Sequence, residues 1–431
     1  MDSAPATIVM PGELDIFSPE NLQNAILHQE KSLLKPISVI SYPLTTLEFH
    51  SRATNDRYRR LDETFLDMEV CLRSEDGAAP IVEQDVACIS NLLYSLFQTC
   101  EIYFNEKLVV RIDNFGYYSY INTLLSFSKQ AADTFLQSAM FFPDSPAFFE
   151  TAGENNKGFT HRKNLLSGGK PCHLFGKLRC GLFNQPLLIP QGIDLRVKLS
   201  FANENFYMWE ADGATSLKLH VTDATLQLQN VAVSPSLLLS HARVFSQANA
   251  HFPHKRVETK CFTTPTGGRN IHLNSVCTGP IPSFICLAMI ENSVFNGNRK
   301  KNSFTFLHKS ATSISAFVNS HEYKIGPMDF HSTHPNFLKS YYQSLISATG
   351  ADKRPSPHMI TPEAYQHGCF LACFDTSIDG MGGPYSSIPN AGTTRLEINF
   401  SKPLDTSLTC LVLLEFDSVL TIDGSRNISI Y

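Results

Sequence analysis

"GIDLRVKLSF" (192–201) alternates along its length: Leu195, Val197, Leu199 and Phe201 are apolar, and Asp194, Arg196, Lys198 and Ser200 lie between them. Successive side chains of a strand point to opposite faces, so this stretch reads as a strand with one dry face and one wet face. The same kind of strand returns far along the chain as "GTTRLEINF" (392–400), where Leu396, Ile398 and Phe400 alternate with Arg395, Glu397 and Asn399. Finding it twice raises the question of whether the whole chain is built twice.

Set side by side, the two halves carry five matching segments in the same order. The hairpin "CEIYFNEKLV" (100–109) corresponds to "SISAFVNSHEYKI" (313–325), and the helical "YYSYINTLLS" (117–126) to "FLKSYYQSLIS" (337–347). Three strand segments follow: "LFGKLRCGLFN" (174–184) with "GCFLACFDTS" (368–377), "IDLRVKLSF" (193–201) with "TTRLEINF" (393–400), and "LKLHVTDATLQLQ" (217–229) with "LTCLVLLEFDSVLTI" (408–422). The offset drifts, from 191 between Phe183 and Phe374 to 221 between Ser126 and Ser347, as insertions in loops would make it. Identity between the halves is weak, which marks a structural repeat rather than a recent duplication.

The expected fold is therefore all-β: a double jelly roll, two tandem eight-stranded antiparallel sandwiches with short helices inserted in loops. About eight strands per half favours jelly rolls over the seven-stranded immunoglobulin sandwich. Length agrees, since 431 residues are too many for one ordinary core and suit two domains of about 200 residues each. We expect an N-terminal arm with a short helix over 1–35, a first jelly roll over 36–233, a helical connector over 234–249 and a second jelly roll over 250–431. The arm's helix is read from Ser18-Pro19-Glu20, a capping hydroxyl, a first-turn proline and an acid, followed by "NLQNAILHQEKSLL" (21–34). The connector, "SPSLLLSHARVFSQA" (234–248), opens with the same Ser-Pro start. Residues 142–172, rich in Pro, Gly, Asn and Lys, read as a long loop, and "DVACISNLLYSLF" (85–97) as helical.

Composition narrows the function. Apolar residues make up 43% and charged residues 17%, the balance of a globular chain. Thirty-one Phe and 14 Tyr against one Trp suit pleated surfaces. The net charge of −5 leaves no basic excess to hold nucleic acid by counterion release. Eleven cysteines cannot all pair, and Cys286, Cys369, Cys373 and Cys410 sit inside apolar strand-like runs. They read as buried free thiols of a chain that folds in a reducing compartment. The N-terminus lacks the basic and apolar regions of a signal peptide, and no run of 18 apolar residues would span a membrane. The glycosylation tripeptides at Asn399 and Asn427 are then expected to be idle.

Catalytic constellations are missing. There is no G-x-S-x-G elbow and no Walker-type phosphate loop. "DGMGGP" (379–384) is Gly-rich, but no helix pattern follows to present amides to a phosphate. His251/His254 and His331/His334 are the closest histidine pairs, and neither has a local acid or cysteine to complete a tetrahedral metal site. We expect no enzyme activity, no cofactor and no metal. Two basic clusters, Arg299-Lys300-Lys301 and His161-Arg162-Lys163, offer Arg299, Lys300, Lys301, Arg162 and Lys163 as loop contacts with partners; solvated loop tips are the plainer reading. A loop-rich β scaffold without a site binds or builds, and its excursions are partner-facing surfaces. "NENFYMWEADG" (203–213), which holds the one Trp, is the best candidate for a lectin-type or attachment site, the alternative function.

Several segments also carry a family resemblance: "SNLLYSLFQTCEIYFNEKLV" (90–109), "VSPSLLLSHARV" (233–244), "FNGNRKKNSFTFLH" (295–308), "TTRLEINFSKPL" (393–404) and "VLLEFDSVLTID" (412–423). In order and spacing they resemble the hexon-type major capsid proteins of Polinton (Maverick) elements and adintoviruses and, more distantly, capsid proteins of virophages and large DNA viruses. The resemblance runs from about Pro36 to about Asp423. It implies a homotrimeric, pseudo-hexagonal capsomer that self-assembles, with a penton-type minor capsid protein, into the icosahedral shell of a double-stranded DNA virus or virus-like element. It further implies location in the virion capsid, synthesis in the host cytosol and assembly in cytoplasm or nucleus. No sequence-specific contact with nucleic acid and no membrane span is implied.

Overall fold

The computed structural model describes residues 22–74, 77–78, 85–211, 217–330, 336–351, 358–378 and 390–431. Eight strands form the first half: β1 (Ile26–Leu34), β2 (Thr46–Ser51), β3 (Arg57–Arg73), β4 (Phe97–Phe104), β5 (Lys107–Asp113), β6 (Cys172–Lys177), β7 (Leu195–Phe201) and β8 (Lys218–Val233). Among the described residues the second half has eight more, β9 (Ala250–Thr264), β10 (Asn270–Pro280), β11 (Phe284–Glu291), β12 (Ala311–Val318), β13 (His321–Ile325), β14 (Leu371–Asp375), β15 (Ala391–Phe400) and β16 (Leu408–Ile422), and a short strand, Ile428–Ile430, that pairs with β16.

The sheet orders are β1-β8-β3-β6 and β2-β7-β4-β5 in the first half, and β9-β16-β11-β14 and β10-β15-β12-β13 in the second. Adding eight to each label of the first pair gives the second pair, and every pairing is antiparallel. Each half is thus a jelly roll of the same topology. The two alternating strands, β7 and β15, hold the same place in their rolls. Leu195, Val197, Leu199, Leu396, Ile398 and Phe400 are buried, as their alternation predicts.

Four of the five matched segments occupy equivalent positions; in the third the strands correspond, but Phe183 lies beyond its strand and is not the equivalent of Phe374. The first hairpin turns at Asn105 and Glu106, both with positive φ (47° and 62°), the two-residue turn whose twist matches its strands. The helical segments are α1 (Phe115–Ser126) in the first roll and Leu338–Tyr341, continued by the π-helical Tyr342–Ser347, in the second. In the third pair the strands are Cys172–Lys177 and Leu371–Asp375, while Gly181–Asn184 is a single 3-10 turn.

Three expectations need correction. Residues 26–34 are not helix but strand β1, paired with β8 along the sheet's edge; residues 1–21 lie outside the described residues. The loop expected over 142–172 contains α2 (Lys157–Leu166), where Asn156 caps the start by accepting from the Phe159 amide at 3.3 Å. Of the helix expected over 85–97, only Leu92–Ser95 forms; Val86–Cys88 pairs with Met208–Glu210 in a small separate sheet. After β8 comes α3 (Pro235–Phe245), which starts at Ser234, whose hydroxyl accepts from the Leu237 amide at 3.4 Å.

The rolls differ in how their sheets are covered. In β16 every residue from Leu408 to Leu414 is buried, and so is every residue of β11 from Ile285 to Ile290. Strands buried on both faces read as unbroken apolar runs, as "LTCLVLL" and "ICLAMI" do. One face meets the second roll's other sheet. The other meets the first roll: Tyr118, Ile121 and Leu125 of α1 line a shared cleft with Phe284, Cys286, Leu413 and Glu415.

Gly181 shows how close the rolls come. A Cβ there would stand 1.7 Å from the carbonyl oxygen of Lys255 on β9. We expect Gly181→Ala to destabilise the protein by about 2–3 kcal/mol through overpacking. Gly153→Ala, with nothing within 4 Å of the added carbon, should change stability by less than about 0.5 kcal/mol. Denaturant unfolding of the two variants beside the parent checks both.

Candidate assembly surfaces and the seam between the rolls

The strand directions place the connections after β1, β3, β5 and β7 at one end of the first roll, with their counterparts in the second. At this end the rolls are locked together, and here four of the five candidate basic residues are engaged in ion pairs within the chain.

Arg162 is not a partner-facing loop residue. It lies on α2 with its side chain fully buried. Its Nε donates to the Cys88 carbonyl at 2.8 Å, Nη1 to the Phe142 carbonyl at 2.6 Å and Nη2 to Asp144 Oδ1 at 2.7 Å. The other Asp144 oxygen accepts from Asn302 Nδ2, in the second roll, at 3.0 Å. Asn302 Nδ2 also donates to the Phe149 carbonyl at 3.1 Å. A helix turns about 100° per residue, so within His161-Arg162-Lys163 only the middle residue faces inward. Lys163, half-exposed, pairs with Asp85.

Arg299 reaches back from the second roll into the first. Its guanidinium donates to Glu204 Oε2 at 3.1 Å, Glu210 Oε1 at 2.8 Å, Asn205 Oδ1 at 3.1 Å and the Leu217 carbonyl at 3.1 Å. Lys301 donates to Glu291 Oε2 at 2.5 Å, and Lys309 to the other oxygen at 3.3 Å. Burial pushes the Glu291 carboxyl up, but the bonds from Lys301 and Lys309 outweigh it and hold the group below its ordinary range. Lys300 is exposed.

Aromatic rings continue the lock. Tyr120 of α1 stacks on Phe304 with centroids 4.0 Å apart, Tyr117 stacks on Phe295 at 5.5 Å, and Phe206 meets Tyr117 and Phe304 edge-on. The lectin candidate fails on its central residue: Trp209 is wholly buried, with Phe159 edge-on at 5.1 Å and the Arg162 guanidinium 5.9 Å from its ring. A ring held inside the protein cannot stack on a sugar.

At the opposite end α3 bridges the rolls on the outside. The Tyr58 hydroxyl hydrogen-bonds His241 Nδ1 at 2.9 Å, and Leu237 and Leu238 pack against Tyr58, Val231 and Val233. The Phe245 ring lies under the Arg426 guanidinium at 4.3 Å. None of the helix's residues is buried, and Leu239 and Val244 are 64% and 58% exposed. Leu27 on the edge strand β1 and Leu187 are also exposed.

Among the described residues, no group of three His, Cys, Asp or Glu side chains is placed to hold a metal ion, and no helix is long and apolar enough to cross a membrane. His254 is buried on β9, facing the Phe252 carbonyl at 3.2 Å, and burial lowers its imidazole pKa. His331, His334 and the 379–384 segment lie outside the described residues. All eleven cysteines are free thiols, and Cys286, Cys369, Cys373 and Cys410 are buried.

No protein-family model and no curated protein matches the chain. Solved structures do. A chain of the Sputnik virophage structure, determined by cryo-EM, matches with a TM-score of 0.63 at 10% identity, over 99% of this chain and 93% of that one. The Faustovirus major capsid protein matches at TM-score 0.58 and 8% identity, over 96% and 92% of the two chains. The mavirus major capsid protein matches at 0.52 and 9%, over 100% and 95%. The chain has the double jelly-roll fold of viral major capsid proteins.

The lock predicts an order of mutational cost. Asp144→Ala strands a buried guanidinium and is expected to destabilise the protein by about 3–5 kcal/mol. Arg299→Ala, at a partly solvated site, should cost less, about 1–3 kcal/mol. Lys300→Ala should cost under about 0.5 kcal/mol. Equilibrium unfolding of the three variants tests the ranking.

Proposed function

We propose that this chain is a major capsid protein: a hexon-type capsomer, homotrimeric and pseudo-hexagonal, whose copies tile the icosahedral shell of a double-stranded DNA virus or virus-like mobile element. The observation that carries the reading is the tandem of two rolls with one topology, joined by the contacts of Asp144 and Arg299. Three such chains around a threefold axis present six near-equivalent flanks, which a hexagonal lattice requires. The likeness to the Faustovirus and mavirus major capsid proteins supports it.

The finer parts of the proposal are these. The source is a Polinton (Maverick) or adintovirus-like element, on the resemblance of the segments quoted above. The partners are further copies of this chain and a penton-type minor capsid protein. The chain is made in the host cytosol, assembles in cytoplasm or nucleus and ends in the virion. Free thiols throughout support synthesis in a reducing compartment. The exposed leucines of α3 and β1 are proposed contacts between chains, and Lys300 is the one of the five basic candidates that remains a contact in the lattice.

Native mass spectrometry of the full chain should give a species three times its 48.0 kDa mass, and concentrated protein should form sheets or shells in negative stain. A monodisperse monomer at every concentration would sink the reading. Replacing Leu239 and Val244 together by Glu should yield folded monomer with little change in thermal stability, because both side chains are exposed within the chain. An intact trimer after that change would remove α3 from the interface.

A further inference from the structure

We infer that Cys286 and Cys373 form a latent cross-strand disulfide site that closes on two-electron oxidation of the folded protein and staples β14 to β11. The inference is independent of the shell-building reading. The two residues are register partners on adjacent antiparallel strands, and their sulfurs are 3.5 Å apart.

The backbone defines the type of pair. The Cys373 amide donates to Ser344 Oγ at 2.9 Å, so it points away from β11. In an antiparallel ladder such a residue belongs to a non-hydrogen-bonded pair, in which the α-carbons approach to about 4.5 Å. That lies within the span of roughly 4.4–6.8 Å that disulfides bridge. Only the rotation of two side chains separates the thiols from bonding distance.

Access and consequence follow from position. Both cysteines are buried, and Cys286 lines the cleft of about 350 Å³ between α1 and the second roll, the space from which a small oxidant approaches the pair. Burial holds the Cys373 thiol well above its ordinary range, so reaction is slower than at an exposed cysteine such as Cys261. β14 is a five-residue edge strand, joined to β11 by five register pairs and reached through the long excursion from β13. A covalent link between residues 87 apart would hold that excursion closed.

The chemistry with the diazene oxidant diamide balances. One thiol adds across the N=N bond, and the second thiolate attacks the sulfur of that adduct, breaking the S–N bond so that the hydrazine nitrogen leaves. An S–S bond forms, and the two protons and two electrons leave on the hydrazine product.

The experiment treats native, full-length Cys261→Ser protein with diamide, then blocks remaining thiols before and after denaturation. Intact mass before blocking should fall by about 2 Da, and a non-reducing digest should yield one peptide pair joining residues 286 and 373. Dithiothreitol should reverse both. Cys369 and Cys410, equally buried, should stay reduced and so certify that the fold remained closed. The unfolding temperature should rise by about 5 °C. Cys373→Ser should abolish the mass change and the shift; if it fails to fold, Cys286→Ala serves the same purpose. Two free thiols at 286 and 373 after prolonged native oxidation would overturn the inference. So would a bond that forms only in denaturant, or one that lowers the unfolding temperature.

Discussion

The centre of the sheet β9-β16-β11-β14, Leu408–Leu414 of β16 beside Ile285–Ile290 of β11, is dry on both faces, and most of the architecture follows from that. A sheet covered once needs a partner sheet; covered twice, it needs a second body. That body is the first roll, whose α1 lays Tyr118, Ile121 and Leu125 over the surface that Leu413 and Cys286 present. The second roll is therefore not free-standing. Separated from the first, it would open Leu411 and Leu413, which share one face of β16, to water.

Apolar burial holds the rolls together but is indifferent to small changes of angle. The polar lock supplies the angle. Asp144 accepts from Arg162 in its own roll and from Asn302 in the other, and only one relative placement satisfies both carboxylate oxygens. Arg299 repeats the logic with Glu204 and Glu210 at the margin of the seam. Buried ionic groups add little net stability over an apolar core of equal volume, but leaving one unpaired is costly. Misdocked arrangements are penalised, which serves a part that must keep one shape.

Much of this was legible in the sequence where a strand had one wet face. Alternation in 195–201 and 394–400 placed β7 and β15, and the order of five segments revealed the repeat. The failures have physical causes. β1, "ILHQEKSLL", is an edge strand exposed on much of both faces; its charged residues protect an open edge but mimic the polar side of a helix. β10 went unread because its register slips between Leu273 and Cys277, breaking the period of two. Arg162 was misplaced because a run of three basic residues carries no phase by itself. The phase was present in Phe159, Arg162 and Leu166, one helical stripe with an arginine among apolar neighbours, and it pointed inward. Asp144 and Asn302 lie in irregular segments, where periodicity says nothing about what they meet.

The two rolls are topological copies but physically unequal, and the inequality explains why the repeat is faint. The first roll's β8 and β3 keep stretches of alternation because part of their outer face is open, with Thr222 and Asp223 exposed on β8. The corresponding β16 shows no alternation over Leu408–Leu414, nor β11 over Ile285–Ile290, where both faces are covered. A duplication that began with equal halves would be driven apart at these positions by docking alone, since one copy's wet face became the other's buried floor. Topology survives because it depends on strand order and register. Identity does not, because the seam asks opposite things of equivalent residues. The same reasoning covers likenesses near 10% identity over almost the full chain: what persists is which faces are dry, and many residues satisfy that.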